Sequence, residues 1–373
     1  MSRRKRSSLI NPDEINIVHA VAKTVRNLFL IGEDFSTNSD YSHRKDWVFS
    51  IMEFQASLMA VDILDFAIMS NHLHFVLRSR PDIVKAFDDQ EVARRWLTLC
   101  PRSRRRTIVD GKAVYVPNPP SPEQIAELAN NKDEIKKIRQ QLSSISWWMR
   151  LLCQKVAQRA NYEDGISMGH FFKGRFHATL INDEPHLLGC SVYVDLNAIK
   201  AAMAETLDGY EYVSASVRIA QIRLRMMAKH QAQLKAQEQQ SQDDSGSADT
   251  SVPKPEGPPA KIPRTDFLSP IKLRHPSHIP ELHTDGHRCS DKGFLDLTDT
   301  QYIDLLEWCI TNKILDRRRE VPDKLPACLE TRGVTPDLWV TQVRDFDTLY
   351  RYEAGVKPEQ ATDSPVGPKP QGS

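Results

Sequence analysis

No apolar run in this 373-residue sequence approaches the roughly 18–20 residues needed to cross a bilayer, which excludes a membrane-spanning helix. The N-terminal run Met1-Ser2-Arg3-Arg4-Lys5-Arg6 is charged but has no apolar stretch behind it, so it does not read as a signal peptide. Cysteine is sparse. The six (Cys100, Cys153, Cys190, Cys289, Cys309, Cys328) are scattered and form no CxxC, which fits a reducing cytoplasm better than a disulfide framework. An excess of one charge is also lacking: 50 Lys and Arg stand against 49 Asp and Glu, for a formal net charge of +1. Taken alone, that balance argues against a protein coated in positive charge for nucleic acid. The sum hides an asymmetry, because residues 1–200 carry 28 basic and 23 acidic side chains and residues 201–373 carry 22 and 26. The first half is the place to look for an anionic partner.

What is present suggests two domains and tails. Residues 1–14 read as a basic arm. Ile15–Ile31 is dense in β-branched residues and reads as a strand. Ser42 to about Val61 has Trp47, Ile51, Phe54 and Leu58 at helical spacing. Ile63–Ser79 reads as a strand pair broken near Ser70-Asn71, and 82–99 as a helix. Residues 100–122 read as a loop or small hairpin around Asp110-Gly111, 123–162 as two helices split near Ser143-Ser144, and His170–Ile181 as a strand. Asp183–Ala204 reads as a helix with Asp183 as N-cap and Pro185 in its first turn, and a further helix runs from about Val213 to Glu238. Residues 240–265, rich in Gln, Ser, Asp, Gly and Pro, read as a disordered linker. Residues 266–355 regain apolar residues as a small, mostly helical C-terminal module, and 356–373 are a Pro/Gly/Ser tail.

Two strings carry chemistry. In Asn71-His72-Leu73-His74-Phe75-Val76-Leu77, strand alternation puts His72 and His74 on one face, about 6.6 Å apart along the strand, and Leu73, Phe75 and Leu77 on the other. Two imidazoles side by side suit a metal ion; the same spacing also serves two separately hydrogen-bonded histidines. In Tyr193-Val194-Asp195-Leu196-Asn197, helical geometry projects Tyr193 and Asn197 together, with His186 on nearly the same face. A phenol with a pKa near 10 attacks poorly unless its target is polarised and its proton removed. A divalent cation meets the first need. An ordinary core helix with a buried tyrosine has the same pattern.

Together with the opening strand containing His19 and the segment Gly169-His170-Phe171-Phe172-Lys173-Gly174-Arg175-Phe176, these strings resemble, in order, the HUH single-tyrosine transposases, specifically the REP-associated tyrosine transposase branch. The resemblance covers about residues 15–230. It implies a transposase domain over 15–239, with an enlarged helical segment near 82–145. The implied fold is α+β: a ferredoxin-like antiparallel sheet with helices on one face. The resemblance further implies that His72, His74 and Asn197 hold Mg²⁺ or Mn²⁺ and that Tyr193 attacks single-stranded DNA beside a hairpin. That attack gives a 5′-phosphotyrosine and a free 3′-OH. Relatives exchange the tyrosine helix between subunits, so a homodimer is compatible. The expected location is the cytoplasm, associated with the nucleoid, with no membrane partner. The sequence departs from the family at Ala198, where many members have proline, and at Asp195, where many have histidine.

Candidate DNA contacts are Arg3 and Arg4 in the arm, Arg102, Arg104 and Arg105 with Arg106, and Lys173 with Arg175. Trp147 and Trp148 are base-stacking or core residues, and the pattern favours the core. His275, His278, His283, His287 and Cys289 crowd together, but their spacing matches no standard zinc pairing. A single His-x-Thr element, His177-Ala178-Thr179, is too little for a 2H phosphoesterase. The competing classes are a DNA-hairpin binder without catalysis and a replication initiator or relaxase of the same HUH group.

Overall fold

The protein is described here by a computed structural model covering residues 9–34, 36–109, 112–243, 266–273 and 286–356. The basic arm with Arg3 and Arg4, most of the expected linker and the C-terminal tail lie outside these residues. So do His275, His278 and His283.

The chain is α+β. Strand β1 (Ile17–Lys23) is followed by a short ladder, β2 (Glu33–Asp34) and β3 (Ser39–Asp40), and by helix α1 (His43–Leu58). The hairpin β4 (Val61–Ile68) and β5 (His72–Ser79) comes next, as the Ser70-Asn71 break predicts. Then come α2 (Pro81–Ala86), α3 (Asp89–Leu99), a ribbon of β6 (Arg104–Val109) and β7 (Lys112–Pro117), α4 (Pro122–Asn130), α5 (Lys132–Leu142) and α6 (Ile145–Glu163). Strand β8 (His177–Ile181), α7 (Glu184–Asp195), α8 (Asn197–Lys200) and α9 (Ser214–Asp243) follow. The C-terminal part holds α10 (Asp299–Thr311), α11 (Ala327–Glu330), α12 (Pro336–Leu349) and β9 (Glu353–Ala354).

The main sheet has the order β4-β5-β1-β8-β9. The first four strands pair antiparallel, and β9 adds a parallel edge to β8. With a helix between β1 and β4 and helices between β5 and β8, the four antiparallel strands follow the ferredoxin-like βαββαβ arrangement. Alternation along β5 divides two interiors. Leu73, Phe75 and Leu77 face a cluster with Val48, Met52, Leu152 and Trp148, under α1 and α6. Val76 faces a second cluster with α7, α10 and α12. Helices therefore cover both faces, where the expectation had one. The second layer is built largely by residues 266–355, which share their core with the sheet, Leu306, Trp339 and Phe346 packing in the same cluster as Leu64, Ala67 and Tyr193.

Several boundaries differ for local reasons. The 123–162 region is three helices, because Asn131 caps a new one by accepting from Glu134 N. The strand expected over His170–Ile181 is confined to β8; residues 171–173 instead hydrogen-bond to the end of β1, Val25 N to Phe171 O at 3.0 Å and Lys173 N to Lys23 O at 2.7 Å. The helix expected over Asp183–Ala204 starts as read, Asp183 accepting from His186 N at 3.0 Å, but breaks at Leu196 (φ −85°, ψ 1°) into α7 and α8.

Candidate active site

The second face of the sheet gathers a set of aromatic and imidazole rings. β5 contributes His72 and His74, β1 contributes His19, and α7 contributes Tyr193. The His72 and His74 ring centroids lie 4.7 Å apart. Tyr193 stands edge-on to His74 at 5.7 Å and to His19 at 5.9 Å. One turn beyond Tyr193, Asn197 donates through Nδ2 to Tyr193 O at 3.3 Å, and its Oδ1 has no hydrogen bond among the described residues. The two strings singled out in the sequence thus meet, although 121 residues separate His72 from Tyr193.

His19 enters as a positioning residue. Cross-strand pairing aligns it with Val76, on the same face as His74. Its Nε2 lies 2.9 Å from His74 Nδ1. His72 Nδ1 lies 2.6 Å from Asn71 Oδ1, which fixes that nitrogen as the donor. His72 Nε2 is then left with its lone pair. For His74, either ring can donate in the His19 contact; a cation on His74 Nε2 selects the tautomer with the proton on His74 Nδ1. Among the described residues no hydrogen bond engages Nε2 of either His72 or His74. Such outer partners, orienting ligand imidazoles through their second nitrogen, are what metal-binding histidines need. Burial pushes His19 down to about 3 and His72 down to about 4, and burial also lowers His74. All three are neutral at pH 7, with lone pairs available.

The expected ligand set fits a hard or borderline divalent cation in type: two imidazole nitrogens and one amide oxygen. Among the described residues, no three His, Cys, Asp or Glu side chains group as a metal centre. The expected set contains only two side chains of those kinds.

Tyr193 is only 3% exposed. Its phenol is driven well above its ordinary value, first by burial, then by the charge of Asp347 and a hydrogen bond to that carboxylate; a hydrogen bond with Asn197 works the other way. Lys200 Nζ stands 5.1 Å over the Tyr193 ring. The Phe346 ring lies 6.1 Å from Tyr193 and 5.8 Å from His19. Asp347 Oδ2 is 3.9 Å from Lys23 Nζ. These two residues follow a break in the helical backbone of α12 at Asp345 (φ −140°, ψ 30°). Gly189 on α7 lets α12 come close, since a Cβ there would lie 2.5 Å from Gln342 Oε1. Neither Phe346 nor Asp347 was foreseen, because nothing local to residues 336–349 marks them as neighbours of a tyrosine some 150 residues earlier.

Other candidates fall elsewhere. His186 bonds the N-cap Asp183 at 2.6 Å and packs on Tyr350 at 5.1 Å, so it serves the start of α7. Asp195 turns away from the site. It accepts from Ser214 Oγ, from Ala215 N at 2.8 Å and from Tyr302 OH at 2.7 Å, tying α7 to α9 and α10. Burial beside Asp65 pushes its carboxyl up to about 7. Cys289 is buried with Sγ donating to Asp62 Oδ1 at 2.9 Å, a core role. Trp148 is fully buried, while Trp147 is partly exposed. Arg104, Arg105 and Arg106 are exposed on the ribbon, in the layer on the opposite side of the sheet from Tyr193. Arg102 is near the ribbon root and pairs with Glu127 at 3.4 Å. Lys173 sits beside Lys23 at the site end of β1, with Arg175 exposed in the same loop. No helix of the described residues is long and apolar enough to cross a membrane. No protein-family model, curated protein or solved structure matches the chain.

Proposed function

We propose that the protein cleaves and rejoins single-stranded DNA through a phosphotyrosine at Tyr193. The observation that carries this reading is the pairing of His72 Nδ1 with Asn71 and His74 Nδ1 with His19, beside a tyrosine ring 5.7 Å from His74. That arrangement leaves two neutral Nε2 atoms on rings 4.7 Å apart, with the His74 ring beside Tyr193 and Asn197 one helical turn beyond it. Those three side chains would hold Mg²⁺ or Mn²⁺. When bound, the ion supplies polarisation of a phosphate oxygen and so makes phosphorus more electrophilic.

Tyr193 Oη attacks phosphorus in line, the P–O3′ bond breaks, and the leaving 3′-oxygen takes up a proton while the phenol loses one. The product is a 5′-phosphotyrosine and a free 3′-OH. Attack by a 3′-OH on that adduct releases the phenol and restores a phosphodiester, so no high-energy cofactor is consumed. Lys23 and Lys200 supply positive charge for the phosphate backbone near the phenol. Access requires α12 to move, since Tyr193 is buried beneath Phe346.

That burial also favours a second reading, a DNA-hairpin binder that does not cleave. One experiment separates them. The full chain is incubated with Mn²⁺ and labelled single-stranded DNA from the flanks of its own gene, with hairpins included. The leading reading expects a covalent adduct that survives denaturation and disappears in Tyr193→Phe. An adduct persisting in Tyr193→Phe overturns the nucleophile assignment. Hairpin binding with no adduct at all establishes the second reading.

A further inference from the structure

Among the described residues the β6–β7 ribbon joins no larger sheet; its strands pair with each other. An isolated two-stranded hairpin is at best marginally stable in water, and this one leaves Ile108 72% and Tyr115 65% exposed. Register places Arg106 opposite Tyr115 and Arg104 opposite Pro117, so Arg104, Arg106, Ile108 and Tyr115 share one face while Arg105 and Thr107 take the other. Both strands, Arg104–Val109 and Lys112–Pro117, lack any acidic residue. Among the described residues, Arg104, Arg105 and Arg106 make no ion pair, whereas Arg102 at the root is already paired with Glu127. The positive field continues onto α6, where the charge of Arg104 helps to hold the Lys155 amine below its ordinary value, after burial. A protruding ribbon with unpaired guanidinium groups on both faces and an exposed phenol suits a groove lined by phosphates.

We propose that this ribbon enters the major groove of duplex DNA, as the stem-reading element of a protein whose chemistry lies at Tyr193. This rests on the nucleic-acid reading above and adds a second, metal-independent site on the other side of the sheet. The geometry favours DNA over RNA. The major groove of B-form DNA, about 12 Å wide, admits a two-stranded β-ribbon, whereas that of an A-form RNA helix is too narrow and deep for side chains to read. Arginine also fits the acceptor pair on guanine in that groove, while the remaining guanidinium groups contact phosphates.

The ribbon can be removed cleanly. At its root Asn118 N donates to Ser103 O at 3.1 Å and Asn118 Nδ2 to Ser103 Oγ at 3.0 Å, so the two ends already touch. The test uses the full chain without divalent metal, so that it does not depend on cleavage. Binding is measured to a DNA hairpin from its own gene flanks, to an unpaired strand of equal length and to the RNA hairpin of the same sequence.

The expected result for the intact chain is preference for the DNA hairpin over both others. Arg104→Ser, Arg105→Ser and Arg106→Ser combined should weaken hairpin binding by about 100-fold or more at 0.1 M salt and lower the salt slope by about 2 to 3. Replacement of 104–117 by two glycines should abolish the preference for hairpin over unpaired strand, with an unchanged thermal unfolding midpoint. Hairpin affinity and slope retained in both variants would overturn the proposal. Equal affinity for the RNA hairpin would overturn the groove assignment. Failure to form adduct with Mn²⁺ counts against the Tyr193 chemistry alone and leaves this binding result standing.

Discussion

The two faces of the sheet are made from the same strands yet differ in kind. Along β5, Phe75 packs at 5.0 Å against Trp148, and its neighbour His74 points to the other side, toward His19 and Tyr193. The first interior is mainly aliphatic and aromatic, but it also buries Arg44 and Gln55 and leaves Gln55 Oε1 and Trp148 Nε1 without a hydrogen-bond partner among the described residues. The second buries His19, His74, Asp65, Asp195 and Arg218, and leaves His19 Nδ1 without a partner. Buried polar groups are costly unless every bond is satisfied. What sets the second face apart is the gathering of its imidazoles around Tyr193, whereas Arg44 in the first layer is paired with Glu163.

The most direct way to break that comparison is to cut one side chain from each face. Phe75→Ala opens a cavity and should cost about 3–5 kcal/mol in urea denaturation. His72→Ala, at a partly exposed position, should cost about 1 kcal/mol or less. In return it should abolish Mn²⁺-dependent adduct formation. Equal losses of stability in the two variants would make His72 a structural residue and dissolve the contrast.

Acid should separate the faces next. The folded values of His19 and His72 are depressed, so the unfolded chain binds more protons than the folded one below pH 6.5. Their contribution is fully present above that pH. As pH falls from 6.5, stability declines by about 1.4 kcal/mol per pH unit for each histidine, until His72 reaches its own value near pH 4. Chemical denaturation of the metal-free protein at pH 7, 6 and 5 measures this slope. A His19→Gln, His72→Gln double variant should make it shallower, His74 still contributing, whereas Phe75→Leu should lower the whole curve and leave the slope alone. A slope unchanged by the histidine substitutions would place the acid sensitivity elsewhere.

What could be read in the sequence follows the same division. The alternation of His72, Leu73, His74 and Phe75 specifies both faces of β5 by itself, because period 2 needs no tertiary information. Tyr193 and Asn197 one turn apart were legible from the helical repeat, which is equally local. His19 was legible only as part of a motif, since its hydrogen bond depends on the β1–β5 register. The break at Leu196 was not legible, because Asp195 is engaged by Ser214 and Tyr302, far along the chain. Nor was the docking of 266–355 on the sheet. Its apolar residues read as a core of their own, and only the structure shows that Leu306, Trp339 and Phe346 complete the layer over α7.

That docking bears on the smallest expected effect and the finest question about the second face. Asp347 sits beside the phenol of Tyr193, with Lys23 3.9 Å away. A phosphodiester approaching Tyr193 would meet this carboxylate, and like charges at short range repel. On the reading proposed above, Asp347 would oppose a phosphodiester at the phenol, and its charge favours the protonated phenol. Asp347→Asn keeps the shape and removes the charge. It should speed adduct formation about fivefold, a change of ~1 kcal/mol in barrier. The gain should shrink at high salt, where charge repulsion is screened. A fall in rate would instead assign Asp347 as the base that takes the phenol proton, and the C-terminal segment would then belong to the catalytic face as a working part.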